Sequence, residues 1–355
     1  MINNNTKFII LTIIISLTLI ELLTRLKISP PDYAQYDNRY MLFNENDIFK
    51  NQNNFFLYHP NKVIKSTTFY EYKNQFIKEY SYYIHTNNFG LVQKNDLDAS
   101  KKSILFLGDS FTEGQGAEAW IDNFDGYFKE LQVINGGILG TGPQQFLLLE
   151  NYISQNFDIR KVVFIFLGED YMRGTFNFPE NVMLCLKNQN NCKGDEGFYG
   201  LKKNEKNNVN SFLQKLKKFR ENKDPKNFKY YIKKFRNSID RLNIISIPKN
   251  FIKSNIYKTK NSNFSKNLDS TKKLINIYKD NIIFIRLNTK NEIMHGKSYW
   301  SNNAEQEIKK MNKKIFYCNF NNDINLFYKY DSHPNKEGYD YLYSCINKIL
   351  KINEL

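Results

Sequence analysis

A serine hydroxyl becomes a nucleophile when a base stands beside it and hydrogen-bond donors await the negative charge that its attack creates. One serine of this 355-residue chain sits in such a setting. Ser110 follows Gly108 and Asp109 in the stretch Ile104 to Gly114, ILFLGDSFTEG. The apolar run before it, Ser103 to Leu107, suits a buried parallel strand, and open parallel sheets carry their sites at the C-terminal ends of strands. The tripeptide alone is weak, since it arises by chance in on the order of one chain in ten of this length. Its partners lie far along the chain. Of the four histidines, His333 has a carboxylate two positions away, in Asp331-Ser332-His333-Pro334-Asn335. Residues two apart in an extended segment point the same way. Asp331 can therefore receive the imidazole Nδ1–H and leave Nε2 to take the Ser110 proton. Without Ser110 the pair would read as a surface contact. A third piece is VINGGILGTGPQQ, Val133 to Gln145, whose glycines let the backbone come close to a ligand and offer an N–H to an oxyanion. Alone it is an ordinary strand-to-helix turn.

These groups need a scaffold that brings distant segments to one edge. After residue 98 the punctuation is that of alternating strands and helices. Ser103 to Leu107, Gln132 to Asn135, Val162 to Leu167, Asn281 to Leu287 and Ile315 to Phe320 read as strands. Trp120 to Leu131, Pro143 to Gln155, Ala304 to Met311 and Lys336 to Leu350 read as helices. The alternation predicts an α/β fold, a mostly parallel sheet covered on both faces. Residues 29–98 are polar and aromatic with little periodicity. They read as an N-terminal extension on a 99–355 domain, ending in the strand-like YSYYIHTNNFGL.

The region from about 171 to 270 breaks the rhythm. Between Leu201 and Lys260 there are 18 Lys/Arg against 4 Asp/Glu, so this segment holds nearly all of the chain's net charge of +15. Ser211 to Leu242 has apolar residues at helical spacing, with Pro225 between two helices. A basic face of this kind is solvated or attracts a polyanion, whether an acidic glycan or an anionic lipid surface. No nucleic-acid module is recognisable, so nucleic acid is excluded as a partner. The four cysteines lack metal-ligand spacing and no metal site is expected. Cys185 and Cys192 are compatible with a small disulfide loop or with free thiols, while Cys318 and Cys345 read as buried thiols. At the N-terminus, Phe8 to Leu26 is apolar apart from Glu21, Arg25 and a few hydroxyls, with no convincing cleavage site after it. The reading is an uncleaved transmembrane anchor within residues 1–28, giving a single-pass protein with an extracytoplasmic, periplasmic domain.

The three pieces together resemble the SGNH (GDSL-type) hydrolase family. GDSFTEG is similar to its first block, NGGILGTG to its second and DSHPNKEGY to its last. TNNFGLVQ, Thr86 to Gln93, and ELLTRL after the apolar N-terminus look like the membrane-anchored bacterial branch. The resemblance covers roughly residues 84–170 and 280–350. It implies a flavodoxin-like three-layer α/β/α sandwich, Ser110 as nucleophile, His333 as base and Asp331 as its orienting group. The N–H groups of Ser110 and Gly140 would hold the oxyanion, Asp109 would brace the nucleophile loop, and no cofactor would be needed. The expected activity is acyl-ester hydrolysis on cell-envelope glycans or lipids, with an acidic polysaccharide as substrate if the basic insertion borders the site. Acyl transfer to a polysaccharide and a catalytically degenerate glycan-binding protein are the alternatives.

One block departs. The third normally carries an Asn that donates to the oxyanion, and here Gly168-Glu169-Asp170 follows VVFIFL. An ionised Glu169 cannot donate and would repel the developing charge, a loss of roughly 3–4 kcal/mol. The side chain can turn away, with a donor such as Asn177 filling in. It can be protonated in a dry site, or the enzyme can be slow. The first is the expectation.

Overall fold

The computed structural model describes residues 8–19, 38–52, 54–174, 177–203, 205–223 and 262–352. Its centre is a five-stranded sheet in the order β11-β10-β8-β6-β7. The strands are β6 (Lys102–Gly108), β7 (Gln132–Gly137), β8 (Asp158–Phe166), β10 (Ile282–Leu287) and β11 (Ile315–Cys318). All four pairings are parallel. Counted along the domain, the order is 2-1-3-4-5, the flavodoxin-like doubly wound arrangement, and its chain reversal falls between β6 and β8.

Alternation along the strands feeds two apolar layers. Leu105, Leu107, Ile134, Phe164 and Phe166 face one side, against α3 (Pro143–Ser154), α6 (Ser262–Tyr278) and α8 (Tyr299–Lys310). Ile104, Phe106, Val133, Val163 and Ile165 face the other, against α9 (Lys336–Ile352) and the Trp120–Phe124 turn. Both faces are therefore dry, as runs such as VVFIF require. The expected helix Trp120 to Leu131 is a single 3-10 turn, Trp120–Phe124. It ends where Asp125 turns extended, and Gly126 beyond it takes a left-handed φ of 73°.

Within the N-terminal extension, residues 38–85 are more regular than their sequence suggests. They build a second sheet in the order β5-β4-β1-β9 and a hairpin of β2 (Phe49–Gln52) and β3 (Phe55–Tyr58). Here β1 (Asn38–Phe43) and β5 (Gln75–His85) flank β4 (Val63–Tyr72) antiparallel, and β9 (Phe198–Gly200) joins β1 in parallel from the insertion. The inner face mixes hydroxyl-bearing and apolar residues, and the outer face is covered only in part, with Val63, Lys65 and Tyr83 exposed. On one face Ile64, Ser66, Thr68 and Tyr70 of β4 alternate inward with Tyr80 and Tyr82 of β5, toward the α/β core. On the other, Tyr40, Leu42, Phe69 and Tyr199 pack with Phe212, Leu213 and Leu216 of α5 (Val209–Lys223). Lys217 of α5 sits 2.8 Å from Glu71 on that outer face. The helix α4 (Glu180–Lys187) completes the described insertion. The second expected basic helix, after Pro225, lies outside the described residues.

A short helix, residues 8–19, begins the chain, with its apolar side chains exposed. Among the described residues no helix is long and apolar enough to cross a membrane, so the expected transmembrane helix is not found there. The remainder of the apolar stretch, from residue 20 on, lies outside them.

Both cysteine pairs are bridged. Cys185–Cys192 closes the loop after α4, and Cys318–Cys345 ties the end of β11 to α9, where free thiols had been expected. The parallel order explains the second bridge: α9 returns across β11, so residues 27 apart in sequence meet face to face. Replacing Cys318 and Cys345 together by serine should lower unfolding stability by about 2–4 kcal/mol, read by urea denaturation; an unchanged midpoint would show that the bridge contributes nothing.

Candidate active site

β6 ends at Gly108, where any side chain would strike Thr112: a Cβ there would lie 2.0 Å from its Oγ1. The bare backbone lets the chain turn at once into α2 (Ser110–Glu113). Asp109 caps that turn by accepting the Phe111 N–H at 3.0 Å. Ser110 is thereby held at the first helical position, at the crevice where the strand order reverses.

His333 arrives on a tight hairpin before α9. Phe327 bridges Pro334 antiparallel, and Tyr328 N–H donates to the His333 carbonyl at 3.0 Å. Its Nε2 lies 2.8 Å from Ser110 Oγ. Its Nδ1 contacts Asp331 Oδ1, which also accepts the His333 backbone N–H at 3.2 Å. The three groups picked out by residue type, 223 positions apart at the widest, thus meet at one rim of the sheet.

Asp331 is only 4% exposed, and its second oxygen is held by residues that nothing in their local sequence singles out. Tyr70 and Tyr80 each donate a hydroxyl to Oδ2 at 2.7 Å, and Arg39 Nη2 stands 3.5 Å away. Burial alone would raise this carboxyl's pKa. The nearby His333 and Arg39, with hydrogen bonds from His333 and Tyr80, instead hold it well below the usual range. Asp331 is therefore an anion throughout the working range, as an orienting carboxylate must be.

The loop beside Ser110 spends most of its backbone N–H groups on partners within the protein. From Gly137 to Gly142 the N–H groups of Gly137, Ile138, Leu139 and Gly142 are taken, by Asn135, Gly108, Glu113 and Gln145. Those of Ser110, Gly140 and Thr141 donate to no described group, and Gly140 has a φ of 72°.

Glu169 is turned out. Its side chain is 60% exposed and lies 3.6 Å from Arg173 Nη2. Asn177, the expected replacement donor, is exposed and makes none of the described hydrogen bonds of the site. Arg173 occupies the centre instead. Its Nη1 reaches Asp109 Oδ2 at 2.9 Å, the Thr141 carbonyl at 2.8 Å and Asp170 Oδ1 at 2.7 Å. One guanidinium thus ties the nucleophile turn to the oxyanion loop and to the third block. Its sequence signal was present: Asp109 and Asp170, both to be buried at one rim, require a cation within reach. Asp109 braces the nucleophile turn through this contact and through its cap.

Beneath the oxyanion loop lies a further buried acid. Glu113 accepts Tyr58 OH at 2.8 Å and Leu139 N–H at 2.5 Å, one residue before Gly140. Burial pushes its pKa up to about 8, against the lowering effect of those two bonds and with help from Asp109. The folded pKa stands above the ordinary 4.5, so the native state keeps a proton that the unfolded chain gives up. The protein should accordingly lose stability as pH rises from about 4.5 to about 8, by a few kcal/mol at most. Glu113→Gln, which can still accept from Leu139 and donate to Tyr58, should flatten that slope in denaturant titrations; an identical slope would remove Glu113 from the account. At the third block, Glu169→Asn should raise kcat roughly tenfold with KM little changed, by offering the side-chain donor that Glu169 lacks. An unchanged kcat would mean that the site makes no use of a donor there.

No family model and no curated protein matches this chain by sequence. Solved structures align with it at low scores. A member of the lipolytic G-D-S-L family from Veillonella parvula is 12% identical, with a TM-score of 0.35 over 70% of this chain and 98% of that one. A lipase/acylhydrolase from Enterococcus faecalis is 12% identical, with a TM-score of 0.35 over 71% and 96%. A GDSL-like lipase from Bacteroides thetaiotaomicron is 17% identical, with a TM-score of 0.31 over 72% and 91%. With its 2-1-3-4-5 parallel sheet, this chain has a flavodoxin-like doubly wound α/β fold, and it gathers Ser110, the Gly140 loop and the Asp331–His333 hairpin at the reversal point.

Proposed function

We propose that this protein is a serine ester hydrolase working through Ser110, His333 and Asp331. The observation that carries the reading is the 2.8 Å contact between Ser110 Oγ and His333 Nε2, with an anionic Asp331 behind the ring. Ser110 Oγ attacks the ester carbonyl carbon while Nε2 takes its proton. The carbonyl oxygen becomes an oxyanion facing the N–H groups of Ser110 and Gly140. Collapse of the adduct breaks the bond to the alcohol, which leaves with the proton from Nε2, and the acyl group stays on Ser110. Water then attacks the acyl-enzyme, gives a proton to Nε2, and the acid departs as Ser110 recovers its hydrogen.

The same acyl-enzyme would pass its acyl group to a sugar hydroxyl if an acceptor displaced the water, so O-acyl transfer remains the second reading. The degenerate binder draws its support from Glu169, and an outward carboxylate paired with Arg173 weakens that support. An acidic polysaccharide substrate required the basic insertion to border the site. Its described helix, α5, packs on the far face of the second sheet, with Glu71 rather than Tyr70 beneath it. Residues 224–261, which hold much of the insertion's positive charge, lie outside the described residues, so an acidic polysaccharide stays within the substrate proposal beside other envelope glycans and lipids. Two bridged cysteine pairs favour an oxidising compartment, which supports extracytoplasmic placement.

The test is hydrolysis of an activated acetyl ester by the protein and by Ser110→Ala. The wild type should be faster by about a thousandfold or more, and a fluorophosphonate should label it at Ser110. Equal background rates and no labelling would overturn the hydrolase and leave the binder.

A further inference from the structure

The α/β domain carries Ser110 and His333, but it does not complete Asp331. One oxygen of that carboxylate serves His333, and the other faces the second sheet, where three strands each send one group toward it. Tyr70 comes from β4, Tyr80 from β5 and Arg39 from β1, all on the inner face set by the strand alternation. Each is held in turn. Arg39 Nη2 bonds Tyr80 OH at 3.3 Å, Gln115 donates to Tyr80 OH at 3.1 Å, and Tyr70 stacks on Tyr330 at 5.9 Å. Gln115 lies just past the nucleophile turn, so the cluster touches both ends of the triad.

Resting on the hydrolase reading above, we propose that Arg39, Tyr70 and Tyr80 are positioning residues of the site: they saturate Asp331 Oδ2, fix the plane of the carboxylate and leave Oδ1 to hold His333. A carboxylate at this depth is costly to keep charged unless its lone pairs are met by donors. Two phenol hydroxyls and a guanidinium meet them. Without these donors the group would rotate about its Cβ–Cγ bond or take up a proton, and a protonated Asp331 no longer balances the imidazolium that forms during attack. Other groups face the pair as well. Glu79 of β5, Tyr328 of the histidine hairpin and Tyr339 of α9 lie near Asp331, and Asp109 and Glu169 lie on the Ser110 side. Of all these, only the three named residues direct a donor at Oδ2 among the described residues.

The experiment compares full-length wild type, Tyr70→Phe, Tyr80→Phe, the double variant, Arg39→Lys and Arg39→Met. It measures ester hydrolysis from pH 4 to 9 and the 13C titration of the Asp331 carboxyl. Each Phe variant should lower kcat roughly tenfold with KM unchanged, and the acid edge of activity should move to higher pH as the Asp331 carboxyl begins to titrate closer to the ordinary range. Arg39→Lys should retain most of the rate that Arg39→Met loses. Full kcat with an unmoved acid edge and an unmoved Asp331 titration, in variants with wild-type circular dichroism, would overturn the proposal. The arginine pair, on a side chain 30% exposed, decides it if the double variant fails to fold. The two readings fail separately. A wild type no faster than Ser110→Ala sinks the hydrolase, while an Asp331 titration identical in wild type and variants sinks the positioning role whatever the turnover.

Discussion

A charge that must remain charged inside the protein is the constraint around which this molecule is arranged. Asp331 is buried, and a buried carboxylate left to itself would neutralise. It stays an anion because donors from three strands and the histidine hairpin converge on its two oxygens. Those donors come from residues as far apart in sequence as 39 and 333. Both sheets must therefore be formed and docked before the site exists. Binding energy spent in holding Asp331 is recovered as orientation of the imidazole.

Arg173 plays the matching part on the nucleophile side. Its guanidinium reaches Asp109, the Thr141 carbonyl and Asp170 at once. These belong to the first, second and third blocks, which the sheet order brings together at the reversal between β6 and β8. The planar guanidinium holds Nη1 in this position while Nη2 turns toward Glu169, a fixed geometry that the freely rotating ammonium of Lys lacks. The same residue stands 3.6 Å from the exposed Glu169 carboxylate.

The legible part of the sequence was the part whose physics is local. Runs such as SILFL and VVFIFL announced buried strands, and Gly-Asp-Ser after one of them placed a hydroxyl at a strand end. Asp331 and His333 were found because they are two apart and because histidine is scarce. The second sheet was illegible for a stated reason. Its inner face is lined by Ser66, Thr68, Tyr70 and Tyr80 and its outer face by Tyr40, Leu42 and Phe69, so no polar–apolar alternation marks either side. The donors to Asp331 were missed with it, because nothing near Arg39, Tyr70 or Tyr80 in sequence suggests a distant carboxylate. The Cys318–Cys345 bridge depends on α9 lying back over β11, which no spacing rule reveals. The helix expected after Trp120 failed at one glycine.

Strand β4 is a two-sided object. Tyr70 looks toward Asp331, and its neighbour Glu71 looks toward Lys217. Removing or adding a single residue upstream of this pair in β4 would turn the strand over. A carboxylate would then lie under Asp331, and a phenol would be left against the lysine of α5. Length changes in this stretch are tolerable in pairs, not singly, so evolutionary drift here is quantised by the pleat.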